Sequence, residues 1–416
     1  MTGDVTVTGF GVRTAFGAGA DALRRGVFAG VPSFAPTTRF DTGPYRTPMA
    51  GAAPDGPDGP DGAEYRALRP ALADCGREAL DMAGLPPGTE AAVLLGIAGD
   101  CTSITRHWRD AAAGPGAETS GGADGRDEAA SGAPADPADA AAHLADAVPA
   151  HLAESLARGL GLTGPRLTFT NACVASAAAI IHACRLISSG RTDVAVCAGG
   201  YLVEEETFGK FDSGRALSRD GMVRPFSADR TGLLLGDGVA AVVLESAEHA
   251  RRRGARPLAG VVGWGAATDA HHIAQPHPEG VGLARAARQA LRLAGDPDGS
   301  ALGYVNAHGT GTKYNDGAET RGLRAALAER AGSVPVSSTK STTGHLLEAA
   351  GVVEFVITVL ALMDGVLPPT AGLTRPDPEC DLDYVPNRAR QADLRRALTI
   401  NAAFGGANTA LVLERP

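Results

Sequence analysis

The sequence predicts an α/β protein built from layered sheets, on three observations. Short apolar runs rich in Val, Ile and Leu alternate with alanine-rich stretches of helical spacing, the pattern of mostly parallel sheets covered on both faces. The same succession is met twice, once in residues 1–254 and again in 255–416, with Arg251 to Pro257 as the crossover between two halves. Hydrophobic residues make up 44% of the 416, enough for a full core in two domains.

Taken in order, Val5 to Thr8 reads as a strand and Gly9-Phe10-Gly11 as a glycine turn. A dinucleotide fingerprint is rejected there, because Thr14 stands where the third glycine is required. Ala50 to Gly62 is a loop with DGP repeats, Ala67 to Ala83 a helix, and Ala91 to Gly96 a buried strand. Residues 111–142 are almost wholly Ala, Gly, Asp, Pro, Ser and Glu, too poor in large apolar side chains to offset ordering entropy, and are expected to form a mobile loop. A helix at Ala147 to Arg158 leads to the strand Leu167 to Thr170, a helical pattern from Cys173 to Gly190, and strands at Asp193 to Ala198 and Val239 to Glu245. The second half gives strand Leu258 to Val262, helix Gly282 to Ala294, strand Tyr304 to Ala307, helix Asp316 to Ala331 and strand Val334 to Ser337. It ends with helix His345 to Met363 and strands Leu398 to Asn401 and Thr409 to Glu414.

Composition excludes several function classes. A net charge of −9 and the lack of a basic stripe with interleaved aromatics argue against nucleic-acid binding; Arg251-Arg252-Arg253 reads as the capped end of a helix. The six cysteines show no C-x-x-C spacing, which fits reduced thiols in a cytoplasmic protein without a metal site. The opening MTGDVTVTGFG has no basic n-region, so no signal peptide is expected. The most apolar late stretch, Gly351 to Val366, carries Glu354 and Asp364 and is too short to span a bilayer, so a buried helix and no membrane contact are expected.

The chemistry gathers at three strand ends. Cys173 stands at a strand-to-helix turn, where unpaired N–H groups and the helix dipole favour a thiolate with a pKa below the ~8.5 of free cysteine. A buried packing cysteine would suit the same place. His308 follows Tyr304-Val305-Asn306-Ala307, and His345 follows the strand Val334 to Ser337 and the run Ser338 to Gly344. Carboxyl ends of neighbouring strands converge on one crevice in α/β sheets, so three reactive groups with that address make coincidence the weaker reading. The Gly-Thr run after His308 lacks the Lys-Ser/Thr pair of a phosphate-binding loop.

NACVAS around Cys173, RPFSADRTGLLLGDGVAAVVLE at Arg224 to Glu245, VNAHGTGT around His308, SSTKSTTGHLLEAAG around Lys340 and His345, and AFGGAN at Ala403 to Asn408 together resemble the β-ketoacyl-acyl-carrier-protein synthases. The resemblance implies a duplicated, thiolase-like α-β-α-β-α fold and a decarboxylative Claisen condensation that extends an acyl chain by two carbons from malonyl carrier protein. Cys173 would carry the chain as a thioester, and neutral His308 and His345 would donate to the enolate. The resemblance places Lys340 beside His345, with Glu354 as its carboxylate partner, although the two could equally be a structural ion pair. It assigns the oxyanion hole to the backbone N–H groups of Cys173 and Ala402. Thr310, Thr312, Phe404 and Gly405 would line the path of the pantetheine arm or substrate, although threonines also suit turns. Arg66 and Arg69 would dock an acidic carrier protein, and Asp316 and Glu319, which read as a helix start, would lie near a dimer-side network. No resident cofactor is implied, since the phosphopantetheine arrives on the acyl carrier protein. A homodimer is expected, or a heterodimer with a ketosynthase-like partner.

Some features depart from the family pattern. The expected phenylalanine gate before the last glycine loop is a methyl group at Ala402, which suggests a roomier or differently shaped entrance to the acyl tunnel, and Ala274 and Gln275 replace hydroxyl residues near the pantetheine channel. TKYND at Thr312 to Asp316 and PECDLDYVP at Pro378 to Pro386 resemble stand-alone ketosynthases of type II polyketide systems as much as those of fatty-acid synthesis. A specialised polyketide or polyene pathway is therefore the expectation. Its rivals are housekeeping fatty-acid elongation and a non-catalytic chain-length-factor-like subunit, the last disfavoured by the intact Cys173, His308, His345 and Lys340. A thiolase is disfavoured because the closing glycine loop holds no second cysteine.

Overall fold

The structure is a computed structural model that describes residues 5–53, 67–104 and 144–416; the segment 111–142 and Arg66 lie outside the described residues. Its centre is an eleven-stranded mixed sheet. From one edge the strands run Arg166–Phe169, Ala92–Gly96, Val194–Tyr201, Gly238–Ser246 and Val5–Thr14, which carries the short strand Gly17–Ala18. They continue through Ala259–Thr268, Ala407–Glu414, Arg396–Ala402 and Leu302–Asn306 to Val336–Ser337 at the other edge.

Either side of the seam the pairing repeats. The outer three strands of each half are parallel, while the two inner pairings are antiparallel. This corrects the expectation of parallel sheets. Apolar runs identify a strand buried on both faces but carry no direction, and the hairpin of Arg396–Ala402 with Ala407–Glu414 is closed by too short a connection for a parallel crossover. The halves meet through Thr6 opposite Gly260 and Val7 opposite Ala259.

Helices fill three layers. Leu68–Ala83 and Pro149–Gly159 cover the outer face of the first half; Val281–Leu293 and Lys313–Leu327 cover that of the second. Between the two sheet faces lie Ala175–Ser188 and Ala350–Asp364, packed in the largest apolar cluster with Ile180, Val242, Phe355 and Leu411. The middle helices are apolar nearly all round, as a doubly covered layer requires. No helix among the described residues is long and apolar enough to cross a membrane.

Gly9 and Gly11 do not make a turn: the strand runs on through them to Thr14. Their lack of a side chain serves helix packing instead, since a Cβ on Gly9 would lie 2.1 Å from the Ala79 carbonyl oxygen and one on Gly11 2.1 Å from that of Cys75. The helix Glu205–Ser213, hidden to sequence in a polar stretch, starts where the Glu204 carboxylate accepts the N–H groups of Glu206 and Thr207. Arg253 is not simply solvated beyond its helix but pairs with the buried carboxylate of Glu245, which also accepts the Thr8 hydroxyl at 2.5 Å.

Candidate active site

The first helix of the middle layer does not begin at Cys173. Ala172 takes φ +52°, a left-handed conformation costly for alanine, and Ala172–Val174 forms one 3₁₀ turn before Ala175–Ser188. The second middle helix repeats the device: Leu347 takes φ +46° and Leu347–Ala349 forms a 3₁₀ turn before Ala350–Asp364. Cys173 and Glu348 therefore occupy matching places. The buried Ser176 hydroxyl ties the two turns, donating to the Glu348 carbonyl at 2.6 Å and accepting the Val352 N–H at 3.0 Å.

The helix expected from His345 starts five residues later. His345 lies instead in an extended segment after Gly344 (φ +75°), its N–H donated to Leu234 at 2.7 Å and its carbonyl accepting the Gly236 N–H at 3.1 Å. This anchoring brings His345 Nε2 to 3.1 Å from Cys173 Sγ. His308, just past the strand Leu302–Asn306, meets His345 edge to face, with ring centroids 5.3 Å apart at 87°. The turn carrying His308 is held from behind, where the Glu319 carboxylate accepts the N–H groups of His308 and Gly309, each at 2.7 Å. Asp316 accepts the N–H of Phe226 at 2.8 Å. Asp316 stands in the first turn of Lys313–Leu327, as a helix-start acid, whereas Glu319 lies further inside it; both are buried. Gly309 is required at its place, since a Cβ would lie 2.4 Å from Ser338 Cβ.

Electrostatics favours neutral groups. Burial, helped by the Lys340 cation, holds both imidazoles well below the ordinary histidine pKa. Burial pushes the Cys173 thiol up to about 12; the carboxylate of Glu348 adds to the rise and Lys340 opposes it. The helix-start argument for a low thiol pKa is outweighed here by removal from water. Lys340 Nζ meets Glu354 at 2.5 Å, and Asn401 donates its amide to the other Glu354 oxygen at 2.6 Å. Burial also raises the Glu319 carboxyl, to about 7, against the two N–H groups it accepts.

Cys173 stands between two cavities. One, of about 320 Å³, is lined by His308, His345, Thr310, Thr312, Ala402 and Gln275 among others; the second, of about 210 Å³, lies beyond Cys173 and is lined by Tyr201, Glu204, Glu348 and Leu347 among others. Three residues, Cys173, Phe211 and Phe404, border both. Phe404 stacks on Phe211 with centroids 5.7 Å apart, so an aromatic does stand at the junction. The expectation of an open entrance at Ala402 is corrected: Ala402 ends its strand, and the ring comes two residues later. Gly405 lies outside both linings and donates its N–H to the Ile273 carbonyl at 2.7 Å. In the same loop Ala403 donates to Ala407 at 2.8 Å.

Of the arginines expected to dock a carrier protein, Arg69 directs Nε and Nη2 to Asp146 at 2.9 and 2.5 Å. Tyr201, Phe211, Glu348 and Asn401 had no local signal; Phe211 and Asn401 become significant through Phe404 and Glu354, distant in sequence, and Tyr201 and Glu348 through the cavity they border. Among the described residues no cluster of His, Cys, Asp or Glu could hold a metal ion.

Residues 2–250 match the family model described as the β-ketoacyl synthase N-terminal domain, and residues 258–374 that of the β-ketoacyl synthase C-terminal domain. The tetracenomycin polyketide synthase ketoacyl synthase alpha subunit of Streptomyces glaucescens is 36% identical, aligned over 99% of this chain and 97% of its own. A 3-oxoacyl-[acyl-carrier-protein] synthase 2 of Vibrio harveyi is 43% identical over 61% of this chain and 63% of its own. Among solved structures, the ishigamide ketosynthase/chain length factor superposes with a TM-score of 0.85 at 31% identity, covering 100% of both chains.

Proposed function

Since the chain belongs to the β-ketoacyl synthase family, we propose that its three clustered groups carry out the family's decarboxylative condensation, with Cys173 holding the growing acyl chain. The observation that carries this reading is the 3.1 Å contact of His345 Nε2 with Cys173 Sγ, with His308 edge-on beside it, at the junction of two cavities.

In the first half-reaction Cys173 attacks the carbonyl of an acyl thioester delivered through the larger cavity. Its thiol is not ionised beforehand, so the proton leaves as the bond forms, with His345 Nε2 in place to receive it and return it to the departing pantetheine sulfur. The tetrahedral oxygen is held by the N–H of Cys173 and one from the closing segment 402–404; the Ala403 N–H is already engaged, which leaves the role to Ala402 or Phe404. In the second half-reaction a malonyl thioester loses carbon dioxide, and the neutral imidazoles of His308 and of His345, the latter now in its Nε2–H tautomer, donate to its enolate oxygen. The enolate carbon then attacks the acyl carbonyl, and the C–S bond breaks so that Cys173 leaves as a thiolate and takes one proton from water to restore its thiol. Lys340, paired with Glu354, whose other oxygen accepts the Asn401 amide, lies near both rings and favours their neutral form.

Thr310 and Thr312, whose hydroxyls lie 2.8 Å apart, face the pantetheine arm. That arm belongs to the acyl carrier protein, so the enzyme needs no resident cofactor. The full-length likeness to a polyketide alpha subunit, against a partial one to a fatty-acid-type synthase, favours a polyketide or polyene pathway. The likeness to a ketosynthase/chain length factor supports a two-subunit assembly of this fold. Residues 1–254 and 255–416 serve as the two halves, one bringing the thiol and the other both histidines. A cytoplasmic setting suits a buried, unpaired Cys173.

The test is to incubate the protein with acyl carrier proteins of varied chain and malonyl carrier protein, following Cys173 by intact-protein mass spectrometry. An acyl adduct that malonyl carrier protein then discharges as a chain two carbons longer is expected. Failure of every donor to load Cys173, or full turnover by Cys173→Ala, would sink the reading.

A further inference from the structure

The smaller cavity shares Cys173, Phe211 and Phe404 with the larger and lies beyond the nucleophile, so on the proposed reading it is where the acyl chain on Cys173 runs. A chain of plain methylene groups asks for an apolar wall. This wall is mostly apolar, but polar groups interrupt it: Asp100, Glu204, Tyr201, Thr207, Lys210 and Glu348 all border it.

Most of these polar groups have local employment. Asp100 accepts the N–H of Thr102 at 3.1 Å, and Glu204 accepts two N–H groups at the start of Glu205–Ser213. Two do not. The Tyr201 hydroxyl is fully buried and, among the described residues, has no hydrogen-bond partner. The Glu348 carboxyl is met only by its own backbone N–H and by no other residue's hydrogen bond or ion pair among the described residues, although its 3₁₀ turn is fixed by Ser176. An unserved buried hydroxyl is rare in a folded protein and costly unless a guest completes it. Burial and the neighbouring Glu204 raise the Glu348 carboxyl, and burial with both acids raises the Tyr201 phenol, so each is biased toward its protonated, donor form.

We infer that this cavity is an acyl subsite, mostly apolar, in which the Tyr201 hydroxyl and the Glu348 carboxyl hydrogen-bond oxygen atoms of the chain on Cys173. The enzyme then selects chains that retain carbonyl oxygens over fully reduced alkyl chains of the same length. Tyr201 and Glu348 are specificity-determining residues for the loading step. The inference rests on the proposed condensation and narrows its substrate class.

The experiment is a competition for Cys173 between hexanoyl carrier protein and its 4-oxo and 5-oxo counterparts, read by intact-protein mass spectrometry. Wild type is expected to load one oxo chain about tenfold faster, the factor one net hydrogen bond of this kind carries. Tyr201→Phe and Glu348→Leu should each shrink that preference severalfold, and Glu348→Leu should speed hexanoyl loading outright. Equal or faster loading of hexanoyl by wild type overturns the inference, since ordered water would then serve the two groups; it leaves the condensation standing. A preference that survives unchanged in both variants also overturns it. Failure of all three chains to load would instead strike the proposed function. The wild-type competition decides the matter even where a variant does not fold.

Discussion

The turn that carries Cys173 and the turn that carries Glu348 are built alike and loaded differently. Each opens with a residue forced to positive φ, Ala172 or Leu347, makes one 3₁₀ turn, and starts a middle-layer helix against its counterpart. In the first half the turn presents a thiol with His345 Nε2 at 3.1 Å; in the second it presents a carboxyl met only by its own backbone N–H among the described residues. Six residues on from Glu348, Glu354 has both its oxygens served, by Lys340 and Asn401. Burial alone therefore does not set a glutamate's role here. The same backbone device has been kept in both halves while only one carries the nucleophile, and the strain of two positive-φ residues, of order 1–3 kcal/mol each, is borne twice.

The comparison breaks most visibly if Cys173 is removed. Cys173→Ala should abolish the acyl adduct and cut condensation at least on the order of 10³-fold, whereas Glu348→Ala should still load; product formation by chromatography separates the two. Next, Lys340→Met strands the buried Glu354 and should cost about 3–5 kcal/mol, while Lys340→Met with Glu354→Leu should recover much of that, as read from urea midpoints. Equal losses in single and double variants would contradict a paired Glu354. Third, Gly351→Ala drives a Cβ to 2.5 Å from the Ala177 nitrogen where the two helices meet, and should cost about 1–3 kcal/mol in the same measurement.

The smallest effect is electrostatic. A thiol raised to about 12 by burial and Glu348 holds less thiolate at neutral pH than a free cysteine. Alkylation of Cys173 by iodoacetamide should therefore climb with pH through 9 without a plateau. The sign for stability follows: a thiol raised on folding stabilises the fold fully below the unfolded pKa of ~8.5, and that contribution fades as pH rises toward about 12. A plateau near pH 7 would mean that the helix start governs the thiol after all.

Sequence made some of this legible and hid the rest for physical reasons. Strands and helices followed from apolar periodicity, and Cys173, His308 and His345 from their strand-end addresses. Strand direction did not, because a strand buried on both faces looks the same either way. Gly9 and Gly11 read as a turn because a glycine needed for a helix above and one needed for a bend are the same letter. Asp316 and Glu319 read as helix-start acids, yet they hold Phe226 and the His308 turn, contacts as far as ninety residues apart in the chain. Tyr201 and Glu348 were silent for the same reason, since an unserved hydroxyl is visible only once its surroundings are folded.

The seam between the halves has a temporal consequence. The first strand pairs with Gly238–Ser246 on one side and Ala259–Thr268 on the other, and Thr6 reaches across 253 residues to the Ala259 carbonyl. At ribosomal speeds of about 5–20 residues per second, Val5, Val7, Phe10 and Val12 wait on the order of 10–50 s for their partners. During that interval an apolar strand has both edges open, the condition that recruits chaperones and invites mispairing. Expression at lowered temperature or with added chaperone should thus raise the yield of this protein more than that of one whose first strand pairs locally.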